Sequence, residues 1–364
     1  MIREFNITVL GPARAGKTSL LSSIYCQFSQ VIGRDSDLEI TPVSETDSNL
    51  GRHAAQLRTA FDTITQMPLN NADVVEATSI VESNSITKPK ERFDLGQKFK
   101  NNRGSISKFG FNDIEYRFNL GQKNKKPKVQ LVLRDYPGEQ LMENPKEVIR
   151  RIRECSVTMI AIDTPALMVE GGRSFPWLYH NDRNIPENGK NGSAGMLNIF
   201  KEAYKDLNEK KMVLLVPVKC EKWMSDPATA SLLLDRLKTG YSQLLDFFAS
   251  EGMSDNVAVV VTPVETMGNI VYAYMDNKEN YSPRFMKGSV VSKFNPRYCD
   301  QPLRYILRFI LKRFLENQGF WFDWFGNDKP FLKAINDFAR GCNSDPNTGL
   351  QTNGFTTIQG AQLL

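Results

Sequence analysis

Apolar residues are distributed along the chain in two rhythms. Continuous runs occur at Phe5 to Leu10, at "VTMIAID" (157–163), at "MVLLVPV" (212–218) and at "VAVVVTPV" (257–264). Runs of this length, rich in β-branched residues, predict strands buried on both faces. Between them the period lengthens to that of helices, predicted over Thr18 to Phe28, Leu50 to Met67, Pro145 to Cys155, Met196 to Lys210, Ala228 to Ser250 and Leu303 to Leu315. In the second of these, Ala54, Leu57, Ala60, Phe61 and Ile64 fall at helical spacing. A third pattern, strict alternation, marks "FNDIEYRFNL" and then "KVQLVLRDYPGE" across a Gly- and Lys-rich turn, which predicts a hairpin. Strand and helix in alternation predict an α/β three-layer sandwich, its sheet mainly parallel with one antiparallel edge strand from the hairpin.

Composition narrows the class. The chain has 364 residues and a formal charge of +5, enough length for a large core and too little charge to require nucleic acid or membrane. Its five cysteines are scattered, with no CxxC pair, and His53 and His180 lie far apart, which argues against a zinc site and a disulfide framework. Met1-Ile-Arg-Glu-Phe-Asn has no apolar leader pattern, and no run reaches the roughly 18 apolar residues of a spanning helix. The expected compartment is the cytoplasm.

Two motifs carry chemistry. "GPARAGKT" matches G-x-x-x-x-G-K-[ST], follows a predicted strand and opens a predicted helix. Glycines there let backbone N–H groups curl around a phosphate, a lysine reaches the β- and γ-oxygens, and a threonine hydroxyl serves magnesium. The candidate cradle is Gly11, Ala13, Arg14, Ala15, Gly16, Lys17, Thr18 and Ser19. Downstream, "RDYPGE" puts Asp135 at the end of an apolar strand and Gly138 three residues on. A carboxylate there can hold magnesium, with Thr18 as the other metal-side group, and a glycine N–H can bind a γ-phosphate. Asp-Tyr-Pro-Gly also fits an ordinary β-turn.

Together, the GPARAGKT loop, the antiparallel hairpin and the strand ending in DYPGE resemble the translation-factor-like (TRAFAC) class of P-loop GTPases, over roughly residues 3–315. The resemblance implies the P-loop NTPase sandwich, GTP and GDP as ligands, Mg2+ as cofactor and a switch between two nucleotide states. It implies a GTPase-like domain over 1–318, with a long insert at about 35–110, and an aromatic segment with a polar tail over 319–364. "VPVKCEKW" stands where the class carries Asn-Lys-x-Asp, so Lys219 would lie over the base and Glu221 would accept its N–H groups, with Val218 replacing Asn. Thr262, Pro263 and Val264 stand where a backbone loop of the class touches the guanine oxygen. The pair VPVKCEKW and VTPVET is also similar to divergent bacterial GTPases, some called double-GTPases, encoded near conflict or defence genes.

The catalytic candidates are Lys17, Glu139 and Arg14. Glu139 follows Gly138 where switch GTPases carry a water-orienting glutamine, and its charge opposes the γ-phosphate, which implies slow hydrolysis. Arg14 suits either an internal arginine finger or a solvent-facing residue that steers nucleotide inward. A magnesium-side threonine of the first switch would be Thr41, Thr78 or Thr87. The rival readings are a nucleotide-holding adaptor without hydrolysis and an ATPase on the same loop.

For partners beyond guanine nucleotide, residues 88–128 hold twelve Lys and Arg against four acids. Such a segment is either a solvated loop or a dock for an acidic partner, nucleic acid being less favoured. "GFWFDWFG" (319–326) either closes a core or presents aromatic anchors to an effector. The stripe Arg304, Arg308 and Lys312 belongs to a helix expected to pack on the sheet.

Overall fold

The computed structural model describes residues 2–12, 15–27, 37–64, 75–76, 114–136, 144–168, 196–276, 282–289, 291–316, 329–343 and 354–364. Its strands are β1 (Arg3–Leu10), β2 (Leu38–Pro42), β3 (Val75–Glu76), β4 (Ile114–Gln122), β5 (Val129–Asp135), β6 (Val157–Asp163), β7 (Lys211–Val218), β8 (Val257–Val261), β9 (Ile270–Asp276), β10 (Ser282–Lys287) and β11 (Thr356–Gln359). Eight of them form one sheet in the order β11-β8-β7-β6-β1-β5-β4-β2. The run from β8 to β5 is parallel, and β4 is antiparallel to β5.

The alternation of side chains within the buried strands sorts them into two layers. On one face, Met212, Leu214 and Val216 of β7 pack with helix α1 (Lys17–Gln27) and with the later helices α9 (Gln301–Glu316) and α10 (Lys329–Ala339). On the other, Val213 and Leu215 pack with α3 (Pro145–Glu154), α4 (Thr164–Met168), α5 (Met196–Ala203), α7 (Pro227–Gly240) and α8 (Ser242–Phe248). This is a three-layer α/β sandwich with a mainly parallel sheet. Because β1 has β5 on one side and β6 on the other, the chain reverses its direction of travel beside β1. The crevice beyond the carboxyl ends of the strands therefore opens there.

Several elements differ from the sequence reading. The hairpin strand β4 is not at the edge, because β2 pairs outside it, antiparallel, through Leu38–Gln122 to Pro42–Phe118. The described part of the insert is thus built into the domain: β2 extends the sheet and α2 (Ser44–Thr63) packs on α1. That helix begins earlier than the apolar period suggested, since Thr46 is also buried and receives the Arg117 N–H on its hydroxyl at 2.8 Å. The helix expected over Ala228 to Ser250 is two, broken at Tyr241 after Gly240. The one expected to reach Lys210 stops at Ala203, and Asp206 then turns with φ of 60°.

The polar tail is the largest correction. Thr356, Thr357 and Gln359 pair antiparallel with β8, and Leu363 and Leu364 are buried in the core. The β-branched Thr356-Thr357-Ile358 stretch gives the tail a strand's shape despite its polarity. Residues 354–364 therefore belong to the main domain. A second sheet, β3-β10-β9, was not anticipated either, although "IVYAYMD" carries the alternating aromatic and β-branched signal. The segments 88–113 and 319–326, together with Thr78 and Thr87, lie outside the described residues.

The predicted helix near Leu303 packs inward as expected. Arg304 is buried, its guanidinium 4.2 Å above the Phe338 ring and hydrogen-bonded to Asp300 and to the Phe338 carbonyl. Among the described residues, no helix is long and apolar enough to cross a membrane.

Candidate functional site

The glycine loop leaves β1 at its carboxyl end and enters α1. Gly11 has φ of 150°, and a Cβ there would stand 2.8 Å from the Ala161 carbonyl oxygen of β6. Gly16 has φ of 103°. L side chains rarely adopt either conformation, so these two positions require glycine and keep the loop backbone bare. Ala15 is buried, with its N–H donating to the Pro12 carbonyl at 3.2 Å. Lys17 folds back over the loop and donates to the Gly11 and Pro12 carbonyls, each at 3.0 Å. Ser19 lies within the first turn of α1, its carbonyl accepting from the Ser23 hydroxyl at 2.8 Å.

The second motif converges on the same place. Parallel pairing sets Val9 beside Asp135, and the Thr18 hydroxyl donates to Asp135 Oδ2 at 3.1 Å across 117 residues of sequence. Asp135 is 8% exposed, and its other oxygen, Oδ1, is buried without a hydrogen-bond partner. Burial pushes its carboxyl above the ordinary range, against the charge of Lys17 and the Thr18 hydrogen bond, which pull it down. Two hard oxygen donors, one with unused lone pairs, suit a small divalent cation such as magnesium. Of the remaining candidates, Ala13, Arg14, Gly138 and Glu139 lie outside the described residues.

Thr41 is not at this centre. It sits on β2 in the row Thr41–Asn119–Gln130, five positions back from Asp135 along β5. At about 3.3 Å per residue this is roughly 17 Å away.

Beyond β7, Lys219 adopts a left-handed backbone with φ of 56° and turns its side chain toward the loop. A Cβ on Gly16 would be 3.7 Å from Lys219 Cε, so the lysine stem lies alongside the glycine loop. Its ammonium pairs with Asp163 Oδ2 at 2.8 Å, both side chains being under 10% exposed. Asp163 ends β6, and sequence reasoning missed it. The available signal was a carboxylate closing an otherwise apolar strand.

Glu221 opens the short helix α6 (Glu221–Met224) and is 3% exposed. Its Oε1 accepts from the Met267 N–H at 3.1 Å, while Oε2 is buried with no partner. The anticipated backbone donors nearby are not available in this structure. Thr262 N–H donates to Leu215 and Val264 N–H to Pro217, continuing the sheet, and Pro263 has no N–H. The loop that faces Glu221 comes three residues later, at Glu265 to Gly268, and Ser23 of α1 ties it down through the Thr266 carbonyl at 2.8 Å. The small sheet covers this end, with Tyr272 against Trp223 at 5.4 Å and Lys222 over both rings.

No family model and no curated protein matches the chain. Among solved structures it is similar to the GTPase-like domain of S. cerevisiae Ski7 bound to GDP and inorganic phosphate, at 13% identity and a TM-score of 0.35. The same domain bound to GTP gives 13% identity and a TM-score of 0.34. Each match covers 72% of this chain and 43% of the other, so the chain spans less than half the length of these structures.

Proposed function

We propose that this protein binds a guanine nucleotide with magnesium and hydrolyses GTP slowly to GDP and phosphate, using the two states to control a partner. The observation that carries the reading is the Thr18–Asp135 hydrogen bond, which joins the first turn after the phosphate loop to the acidic strand end. Lys17 rests on loop carbonyls, and a polyphosphate would draw it off them. Backbone N–H groups of the loop and the N-terminus of α1 would hold the phosphates. Thr18 and Asp135 would hold magnesium, which neutralises charge on the β- and γ-oxygens when bound. Lys219 and Glu221 would serve the base. Glu139 would position water poorly because its charge opposes the γ-phosphate, and Arg14 would add positive charge near the loop.

A second reading, ATP binding on the same loop, is favoured by two observations: Glu221 is already held by Met267, and Val218 replaces the usual Asn. The third reading, an adaptor without turnover, rests on the missing glutamine. Equilibrium binding of GTP, GDP and ATP, with and without magnesium, to wild-type protein and Lys17→Ala tests the first reading. Binding of GTP above ATP, strengthened by magnesium and lost in the variant, is the expected result. No affinity for any nucleoside triphosphate overturns it. Multiple-turnover phosphate release separates enzyme from adaptor. The partner surface is assigned to the basic segment 88–128 or to 319–326.

A further inference from the structure

The turn after β7 places a charged residue in an uncommon conformation. Lys219 has φ of 56°, a left-handed backbone that residues with a Cβ seldom adopt and that gathers at functional sites. Its ammonium stands 2.8 Å from Asp163 Oδ2, and both side chains are almost fully buried. Taking two charges out of water is expensive, so a buried pair is weak evidence for stability. Its best-attested use is to fix position.

What the pair fixes follows from the strand ends. Parallel pairing sets Asp163, the last residue of β6, beside Val218, the last residue of β7, and Lys219 is the next position along. The same two strand ends wall the glycine loop. A Cβ on Gly16 would meet Val218 Cγ2 at 3.4 Å and Lys219 Cε at 3.7 Å, and one on Gly11 would meet the Ala161 carbonyl oxygen at 2.8 Å. The lysine stem therefore passes the loop at Gly16 just before its ammonium reaches Asp163. Gly16 leads directly into Lys17 and Thr18, so a shift of this stem is felt beside the loop.

We propose that Asp163 is a positioning residue of the nucleotide site: it holds Lys219 against the glycine loop and acts on nucleotide affinity only through that lysine. The inference rests on the guanine-nucleotide reading above and deepens it. An ionised carboxylate has no donor to offer a polyphosphate and repels it. Asp163 therefore serves the site by matching the lysine charge, not by touching the ligand. Without that carboxylate the ammonium is left buried and uncompensated, and the side chain moves to reach water or another acceptor. Lys219 then loses the anchor that sets its place at Gly16.

The experiment is a double-mutant cycle in nucleotide affinity. GTP and GDP are titrated into wild-type protein, Asp163→Asn, Lys219→Met and the double variant, each first shown to be folded by circular dichroism. Asp163→Asn should weaken both nucleotides about tenfold, whereas the same change in the Lys219→Met background should weaken them less than about twofold further. The gain in affinity from magnesium should persist in all four, because Thr18 and Asp135 are untouched. A folded Asp163→Asn that binds like the wild type overturns the proposal and leaves the pair a purely structural one. Equal losses in the two backgrounds overturn it as well, since Asp163 then acts without Lys219. So does a lost magnesium response, which puts the effect at the metal. If Asp163→Asn does not fold, Asp163→Glu keeps the charge and lengthens the arm by one methylene. An affinity loss of about threefold, confined to the background that keeps Lys219, is then expected, and wild-type affinity overturns the proposal. Absence of GTP binding by the wild-type protein overturns the nucleotide reading itself, and the proposal with it.

Discussion

The two ends of the site are built on opposite terms. At the end proposed to hold phosphate, Lys17 leans on loop carbonyls and Thr18 on Asp135, contacts that a bound anion and cation would take over. At the end proposed to hold the base, Glu221 already serves the backbone of the loop at Met267, and Lys219 is already paired with Asp163. The first is a cradle kept open by glycine backbone. The second is a packed corner in which the same side chains hold the fold and would read the base. Affinity should therefore be dominated by the first end and selectivity by the second.

The hardest test of that division is Lys17→Ala. Loss of a charge-assisted contact to the polyphosphate should weaken GTP and ATP alike by at least about a hundredfold, roughly 2.7 kcal/mol. A loss confined to one nucleotide would erase the contrast. Next, Asp135→Asn should abolish most of the gain in affinity that magnesium confers, an effect of about 2 kcal/mol, or roughly thirtyfold. Titration with and without the metal measures it. Glu221→Ala should lower the ratio of GTP to ATP affinity by about tenfold, near 1.4 kcal/mol, while the magnesium response persists.

The smallest effect belongs to a control outside both ends. Glu147 on α3 is drawn down to about 2 by hydrogen bonds from Arg150 and Arg151. Its folded value lies below the roughly 4.3 of an unfolded glutamate, so its contribution is complete above that pH and disappears as pH falls toward 2. These arginines are partly exposed, so Glu147→Gln should cost only about 0.5 kcal/mol in chemical denaturation at pH 7. The wild-type and variant curves should converge on acidification, with nucleotide affinities unchanged.

How far the sequence was readable follows the same division. The phosphate end is local: Gly11 through Thr18 are consecutive, and their chemistry demands a spacing that can be seen without a structure. Asp135 was legible because it ends an apolar run. The other end is assembled from strand ends that only tertiary pairing brings together: Asp163 closes an apolar run as Asp135 does, but no motif follows it to single it out, and Glu265 gave no local pattern. Thr262 and Val264 continue pairing with β7 beyond the end of β8, which the apolar run alone does not distinguish from a loop. In the fold, the parallel strands announced themselves by continuous burial, whereas β2 and β11 sit at edges where alternation with polar residues looks like loop. Arg304 reads as surface charge along the chain, yet a ring face and a carbonyl bury it.

The short strand β3 has a consequence for assembly. Val75 and Glu76 pair with Phe285 and Arg284, about two hundred residues further on. Closing so wide a separation for so few hydrogen bonds is entropically unfavourable until the intervening core exists. That seam should zip last during refolding and open first under native conditions, so its amide protons would exchange with solvent well before those of the central sheet.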